Sequence, residues 1–320
     1  MSEPQDRSES VIDELESGPG KPPSSSETLY QTGIHGEVPG GWRDSVRSIH
    51  YDLSYIVRNA ERGPRGAIVL LHDLPGGAFE WRDVLPALDS AGRAVYAFDM
   101  LGYGASAHPW PSDTSVWGHA DCLTYALEAL DLSEIVLAGI GLGAAVAQVL
   151  ATRLYRAKVA RLVLINSYAY EYAFAPNWPL PDMEKRQDPE APKHTKVDAV
   201  IADLRATLAH ASAKPQRFTS ARLDAYVNEW NSELGKELLF QHVRQLRPLY
   251  QNSVGSDLRR LKIPVLLLWG ESDAITPVAL GERMAREIPE ARLVTLPGSG
   301  HMALVDAPDE VARQIVNFVK

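Results

Sequence analysis

Short apolar runs alternate regularly with amphipathic helical segments along most of the chain. Each run reads as a strand buried on both faces, because it lacks the alternating polar residues of a half-exposed strand. Strands that alternate with helices form a mostly parallel sheet with helices on both faces. We therefore predict an α/β fold with a doubly wound, mostly parallel sheet, preceded by one or two antiparallel strands at 47–57. The other predicted strands are 67–71, 94–98, 135–138, 162–165, 264–269 and 292–296, and the predicted core helices are 79–91, 116–132, 142–154, 278–288 and 309–319.

The alternation stops between residues 169 and 255. Residues 169–195 contain five prolines and many polar side chains, which predicts irregular structure, and three helical patterns follow them. A helical block between two sheet-forming halves is an insertion into one domain rather than a second domain. The predicted parts are a core domain in two pieces, 41–168 and 256–320, and a helical cap at 169–255 with helices at 197–213, 220–229 and 233–246.

Residues 1–40 differ from the rest of the chain in composition. Among the first 28 residues only Met1, Val11, Ile12 and Leu15 are apolar. These are too few to bury a core, so we predict a disordered acidic leader. The first 28 residues carry seven acidic and two basic side chains, and the other 292 residues hold only −4 of the formal net charge of −9. The net charge is therefore mostly a property of the leader and says nothing about a substrate.

Charge and composition exclude several classes of partner. An acidic chain with a pI near 5.5 lacks the basic surface of a nucleic-acid-binding protein and is repelled by anionic membranes. No apolar run reaches the ~18 residues of a membrane span, and no basic-then-apolar signal opens the sequence. The single cysteine, Cys122, excludes an internal disulfide and a cysteine-based zinc site. We expect a cytoplasmic protein with a small-molecule substrate and without nucleic-acid or membrane partners; the oligomeric state stays open.

Glycine-rich and polar segments follow several predicted strands, at the edge where open α/β sheets bind ligands. In this order they resemble the motifs of the α/β-hydrolase superfamily, in the cap-bearing branch with haloalkane dehalogenases, epoxide hydrolases, C–C hydrolases and proline iminopeptidases. The resemblance covers about residues 45–320 and implies the α/β-hydrolase fold. The segments are 72–76, 99–106, 139–143, 270–273 and 298–301.

The resemblance implies a role for most of these segments. Residues 72–76, His-Asp-Leu-Pro-Gly, are similar to the family's oxyanion-hole motif His-Gly-x-Pro-Gly, with Asp73 in place of the first glycine. Asp273 matches the family's acid, and His301 matches its histidine. Asp99 matches a position that is usually structural, where the carboxylate binds turn amides.

The nucleophile elbow is where this sequence departs from the family. The family pattern is Gly-x-Ser-x-Gly, or the same with aspartate, on a sharp strand-to-helix turn. This chain reads Gly139-Ile140-Gly141-Leu142-Gly143, so both flanking glycines are present and the nucleophile is absent. Glycine tolerates the strained turn but offers no side-chain atom for attack. Ordinary serine-hydrolase turnover is therefore not expected.

The remaining groups still support catalysis. The N–H groups of Leu74 and Leu142 are predicted to form an oxyanion hole. His301, oriented by Asp273, is predicted to be a general base with a pKa near neutrality. Such a pair can deprotonate a group next to a carbonyl, or activate a water molecule in the space that Gly141 leaves.

Three further side chains are candidates for the substrate pocket: His72, Trp81 and Trp178. Each has a structural alternative, since His72 can hold its loop and the tryptophans can pack in the core or cap. No metal is predicted, because the cap histidines lack metal-ligand spacing. No cofactor is predicted either, because the weak dinucleotide pattern at 139–144 is followed at the end of the next strand by Asn166 instead of an acidic residue.

Three functions remain open at this point. The first is an enzyme that acts on a small, partly apolar carbonyl or ester-like compound through His301, Asp273 and the oxyanion hole, without a serine acyl-enzyme. By resemblance it is either hydrolase-like or similar to the cofactor-free lyases and dioxygenases of the superfamily, which use a His–Asp dyad. The second is an ordinary serine hydrolase inactivated by replacement of its nucleophile with Gly141. The third is a non-catalytic protein of the same fold that binds a ligand or a partner. The presence of both dyad residues favours catalysis over the third.

Overall fold

The computed structural model describes residues 41–170, 188–246 and 254–320, so the predicted leader and Trp178 lie outside the described residues. Its centre is an eight-stranded sheet. Its strands are β1 (Trp42–Arg47), β2 (Asp52–Arg58), β3 (Ile68–Leu71), β4 (Val95–Phe98), β5 (Ile135–Ile140), β6 (Val159–Ile165), β7 (Val265–Gly270) and β8 (Ala291–Leu296).

The strands lie in the order β1-β2-β4-β3-β5-β6-β7-β8. The β1/β2 and β2/β4 pairs are antiparallel, and the five remaining pairs are parallel. This arrangement confirms the predicted mostly parallel sheet with an antiparallel start. Because β3 lies beside β5, Leu71 pairs with Gly139, and the loops that follow these two strands are neighbours.

Helices cover the sheet and form the cap region between β6 and β7. Ser115, Thr219 and Ser232 cap three of them, each accepting a hydrogen bond from a first-turn N–H, as short hydroxyl side chains do at helix starts. The helices are α1 (Leu85–Leu88), α2 (Val116–Ala129), α3 (Gly141–Val149), α4 (Ala191–His194), α5 (Val197–Ala211), α6 (Ser220–Val227), α7 (Glu233–Gln245), α8 (Val278–Glu287), α9 (Ala303–Asp306) and α10 (Pro308–Val319).

Two predicted helices differ from those in the structure. The helix predicted at 79–91 is divided into a 3-10 turn at Ala78–Asp83, the short α1 and a second 3-10 turn at Asp89–Ala91, because Pro86 cannot donate a backbone hydrogen bond there. The helix predicted at 142–154 becomes a π-turn at its end. There the Thr152 hydroxyl donates to the Gln148 carbonyl, 2.7 Å away, and competes with the helical ladder.

The hydrophobic core lies on both faces of the sheet. Alternate residues of β3 point in opposite directions, so Val69 and Leu71 join one cluster and Ile68 and Leu70 join the other. The first cluster continues into the cap, where it includes Trp230. The described cap helices are thus packed onto the sheet domain, while the predicted cap boundaries at 169 and 255 stay a prediction.

Candidate active site

The turn between β5 and α3 has the form that the elbow motif predicts. Gly141 begins α3 with a φ of +50°, in the left-handed region that glycine adopts without a Cβ penalty. A Cβ on Gly143 would lie 2.5 Å from the carbonyl oxygens of Leu71 and His72. The flanking glycine therefore lets α3 approach β3 closely.

The carboxylate of Asp73 fills the volume beside Gly141. A Cβ on Gly141 would collide with Cγ and with both carboxylate oxygens of Asp73. Asp73 Oδ1 accepts a hydrogen bond of 2.7 Å from the Leu142 N–H, and Oδ2 lies 3.1 Å from Nε2 of His301. The carboxylate thus stands where the side chain of an elbow nucleophile would begin. It also binds one of the two predicted oxyanion-hole donors.

The structure brings His301 and Asp273 together. Nδ1 of His301 lies 2.8 Å from Oδ2 of Asp273. Oδ1 of Asp273 accepts hydrogen bonds from the N–H groups of Ile275 and Thr276, at 2.8 and 2.9 Å, and Oδ2 accepts one from the Thr276 hydroxyl, at 2.7 Å. These bonds fix the carboxylate, so the imidazole is held with Nε2 directed at Asp73.

Two side chains at the end of β6 support this histidine and were not assigned a role from the sequence. The Asn166 side chain donates to the carbonyls of Gly300 and His301, at 3.0 and 2.7 Å, and accepts from the Gly270 N–H, at 2.8 Å. It therefore ties the end of β7 to the histidine loop. The Tyr168 hydroxyl lies 3.4 Å from Nε2 of His301. The only signal for either residue in the sequence is its place after a predicted strand.

The charge on His301 differs from the expectation of a neutral base. Burial by itself would lower the pKa of His301, but the carboxylates of Asp273 and Asp73 outweigh it and raise the pKa to about 10. The imidazole is therefore protonated at neutral pH and lies between two carboxylates. The prediction of a pKa near neutrality is wrong, because it did not include the contact between His301 and the second carboxylate, that of Asp73.

Glu80 is a third acidic side chain in this site. It is 3% exposed, and its Oε2 accepts a hydrogen bond of 2.9 Å from the Asp73 N–H. Burial, reinforced by the negative charge of Asp73, raises the pKa of Glu80 well above its usual range. The protonated form of Glu80 is thus favoured, and the bond to its carboxyl oxygen holds the loop that carries Asp73.

Two of the candidate pocket residues, His72 and Trp81, have structural roles instead. His72 is fully buried; its Nδ1 donates to the Asp73 carbonyl at 2.8 Å, and its Nε2 accepts from the Met100 N–H at 2.9 Å. Trp81 is also fully buried, in the second hydrophobic cluster. The structure corrects both pocket assignments: His72 holds its loop and Trp81 packs in the core, while Trp178 lies outside the described residues.

Asp99 is structural, as its motif predicts. Its carboxylate accepts hydrogen bonds from the N–H groups of Ala78 and Ala105, at 2.7 and 3.1 Å, and pairs with Arg43. These contacts join the segment after β3 to the turn after β4. The part of Leu74 as a second oxyanion donor stays a prediction.

The described ranges contain neither a metal-binding cluster nor a membrane-spanning helix. In residues 41–170, 188–246 and 254–320, no group of three or more histidine, cysteine, aspartate or glutamate side chains is arranged to hold a metal ion. Over the same residues, every helix is too short or too polar to cross a membrane.

The chain is similar to known proteins over most of its length. A family model described as alpha/beta hydrolase fold matches residues 66–308. The chain is 25% identical over 255 residues to the AB hydrolase superfamily protein YisY of Bacillus subtilis, which spans 78% of this chain and 90% of YisY. It is 27% identical over 294 residues to haloalkane dehalogenase 2 of Mycobacterium tuberculosis, which spans 86% of this chain and 93% of that relative.

Solved structures have the same fold. Haloalkane dehalogenase DbeA from Bradyrhizobium elkani matches with a TM-score of 0.76 at 18% identity, over 87% of this chain and 97% of that chain. An alpha/beta hydrolase fold protein from Burkholderia ambifaria matches with a TM-score of 0.73 at 23% identity, over 86% and 100% of the two chains. Since the family model also spans more than half of the sequence, the chain belongs to the alpha/beta hydrolase fold family.

Proposed function

We propose that this chain is a hydrolase that acts without a serine acyl-enzyme on a small, partly apolar substrate. His301 and Asp273 move the protons of the reaction, and the Leu142 N–H stabilises the developing oxyanion. The relatives named above are a hydrolase-superfamily protein and a haloalkane dehalogenase, so carbonyl compounds and haloalkanes are the substrate classes to test first.

One observation carries this proposal. A continuous chain of hydrogen bonds runs from Asp273 through His301 and Asp73 to the Leu142 N–H, although Gly141 at the elbow has no side chain. Each member is nine-tenths buried or more, where hydrogen bonds and charges act more strongly than in water. Burying these charged side chains costs free energy. Proton transfer during hydrolysis is the function that would explain why they are kept together.

The same contacts argue against the single loss of a serine. A serine at position 141 would need the volume that the Asp73 carboxylate occupies. Its reaction would also need Nε2 of His301 as the base and the Leu142 N–H for the substrate oxyanion, and Asp73 binds both. The glycine and the aspartate therefore fit each other as a pair, which one substitution in an ordinary serine hydrolase does not explain.

Proton movement in this site starts from a charged histidine. His301 is protonated and lies between the carboxylates of Asp273 and Asp73, so it is not a base in the resting site. It becomes a base once the charge on Asp73 is neutralised, because one of the two carboxylates that hold its proton is then lost. A base that appears only after the first chemical step suits a two-step hydrolysis.

The test compares the wild type with His301→Gln and with a control, His50→Gln, at an exposed position. The substrates are short-chain esters, carbamates and 1-haloalkanes. We expect turnover of at least one class by the wild type, a loss of ~10²-fold or more in His301→Gln and no change in His50→Gln. Equal rates in the wild type and His301→Gln, or no turnover of any class by folded wild type, would contradict the proposal.

A further inference from the structure

We propose that Asp73 is the nucleophile of this enzyme, transferred from the elbow to the loop after β3, and that the substrate carries a halide leaving group on a saturated carbon. This inference rests on the function proposed above and adds to it a covalent intermediate on Asp73.

The position of the carboxylate follows from the sheet. Leu71 of β3 pairs with Gly139 of β5. Asp73 lies two residues after Leu71, and Gly141 lies two residues after Gly139. The parallel register therefore brings both positions to the same point above the sheet. An aspartate on either loop can place its carboxylate there, and in this chain it is the β3 loop that carries one.

Asp73 is also the more reactive of the two carboxyl groups at this point. Its oxygens accept hydrogen bonds from the Leu142 N–H and from protonated His301, which hold the carboxylate in one orientation beside the elbow. Glu80 is buried, and its raised pKa favours the protonated form, which is a poor nucleophile. Each Asp73 oxygen accepts one of these bonds and keeps a second lone pair for other contacts.

The contact with Leu142 indicates the substrate class. Its N–H is bound to Asp73 Oδ1, so the carbonyl oxygen of an ester substrate would reach it only by displacing this carboxylate. The N–H is instead in place for the oxyanion that forms when water attacks an ester of Asp73 itself. This arrangement fits a substrate without its own carbonyl, whose first step is displacement at a saturated carbon.

The first step forms one bond and breaks one. Oδ2 of Asp73 attacks the saturated carbon, and the carbon–halogen bond breaks as the halide leaves with the bonding pair. The product is an alkyl ester of Asp73, whose negative charge has passed to the halide. His301 then releases its proton to solvent, because only Asp273 still holds it.

The second step restores the enzyme. Nε2 of His301 takes a proton from water as the water oxygen attacks Cγ of the ester, and the Leu142 N–H stabilises the charge on Oδ1. The bond between Cγ and Oδ2 breaks, the alcohol leaves with the proton of His301, and the new Asp73 carboxyl group returns a proton to His301. In sum, haloalkane and water give alcohol, halide and one proton, and the water oxygen remains on Asp73.

The first experiment detects the intermediate. His301→Gln is incubated with 1-bromobutane and digested with trypsin, and the peptide 66–82, which contains both Asp73 and Glu80, is fragmented in a mass spectrometer. We expect one butyl group on Asp73, and none on this peptide from His301→Gln/Asp73→Asn. A single turnover of wild type in ¹⁸O-labelled water should label Asp73 rather than butanol.

The second experiment moves the carboxylate between the two loops. Asp73→Gly and Asp73→Asn should each lower 1-bromobutane turnover by ~10³-fold or more, as loss of a nucleophile does. Asp73→Gly/Gly141→Asp should recover ~10²-fold or more of the loss, since aspartate tolerates a left-handed backbone. Thermal unfolding of each variant checks that it is folded.

Three results would overturn the inference: an adduct on Glu80, full haloalkane turnover by folded Asp73→Asn, or no reaction of wild type with 1-bromobutane. The last two leave the proposed function standing if esters or carbamates are hydrolysed in a way that depends on His301. A different result would contradict the proposed function itself: His301→Gln would then hydrolyse its substrates as fast as the wild type.

Discussion

Asp73 and Gly141 occupy equivalent positions just beyond the neighbouring strands β3 and β5, and the carboxylate of the first fills the side-chain volume that the second lacks. The two residues together provide what an elbow residue provides alone, which is a backbone with positive φ and a polar group beside His301. Gly141 supplies the turn, and Asp73 supplies the polar group. A change at either position therefore has a predictable effect at the other.

Reintroducing a serine at the elbow tests this relationship. Gly141→Ser alone should gain little esterase activity, because Asp73 occupies the space of the hydroxyl and binds both its base, Nε2 of His301, and the Leu142 N–H that would bind the substrate oxyanion. Gly141→Ser/Asp73→Gly removes the obstruction and frees the Leu142 N–H, a type of donor worth ~10²-fold or more in rate. We expect the double variant to hydrolyse 4-nitrophenyl butyrate at least ~10²-fold faster than the single variant. Equal rates would mean that Asp73 does not obstruct the elbow.

Removal of the Asp273 carboxylate should separate orientation from charge. In Asp273→Asn the imidazole loses its fixed partner at Nδ1, and we expect kcat to fall by ~10³-fold or more. The pKa of His301 should fall as well, because Asp273 is the strongest of the interactions that raise it. Kinetics and NMR titration of the ring measure the two effects. Glu271→Gln, an exposed neighbour, is the matched control and should change neither.

The raised pKa of His301 makes stability depend on pH. The pKa is ~6.5 in the unfolded chain and about 10 in the folded protein. The stabilisation is complete below the unfolded value and is lost as the pH rises towards the folded value. Urea unfolding at pH 7 and pH 10 should show a larger loss of unfolding free energy in wild type than in Asp73→Asn, which lacks one of the carboxylates. Equal losses would indicate that Asp73 does not hold the proton.

Two buried histidines should make the stability depend on pH in the opposite sense, so that it falls as the pH falls. His119 and His242 are fully buried beside Tyr103, with ring centroids 5.7 and 4.4 Å from it. Burial lowers the pKa of His119 to about 3 and that of His242 well below its usual range. Both rings stay neutral in the folded protein, while the unfolded chain takes up protons below pH ~6.5. Stability should therefore fall as the pH falls through this region.

A substitution isolates this contribution. His242→Phe should reduce the loss of unfolding free energy between pH 6.5 and pH 4.5, because one proton-binding site of the unfolded chain is removed. His50→Phe, at an exposed position, should leave the loss unchanged. Urea unfolding at the two pH values gives the measurement. An identical pH dependence in His242→Phe and wild type would show that the His242 ring is accessible to protons in the folded state.

Much of the fold can be predicted from the sequence because its signals are local. A short apolar run predicts a buried strand wherever it occurs, and the strand-to-helix rhythm predicts parallel pairing. The sheet agrees with this prediction, whereas the segment 79–91 does not, because one proline interrupts the helical hydrogen bonds. The resemblance of their motifs to those of the α/β-hydrolase family predicts the pairing of His301 with Asp273, and both motifs follow strands that are neighbours in the sheet.

The sequence alone determined that the elbow has no nucleophile and that the acid Asp273 and the histidine His301 are present. It also determined that an aspartate, Asp73, stands in the segment 72–76, which resembles the family's oxyanion-hole motif. Only the tertiary structure decided what that aspartate does. Asp73 and Leu142 are 69 residues apart, and their contact exists because β3 lies beside β5 in one register. The charge of His301 was decided in the same way, because its pKa depends on the distances to two carboxylates and on the exclusion of water around them.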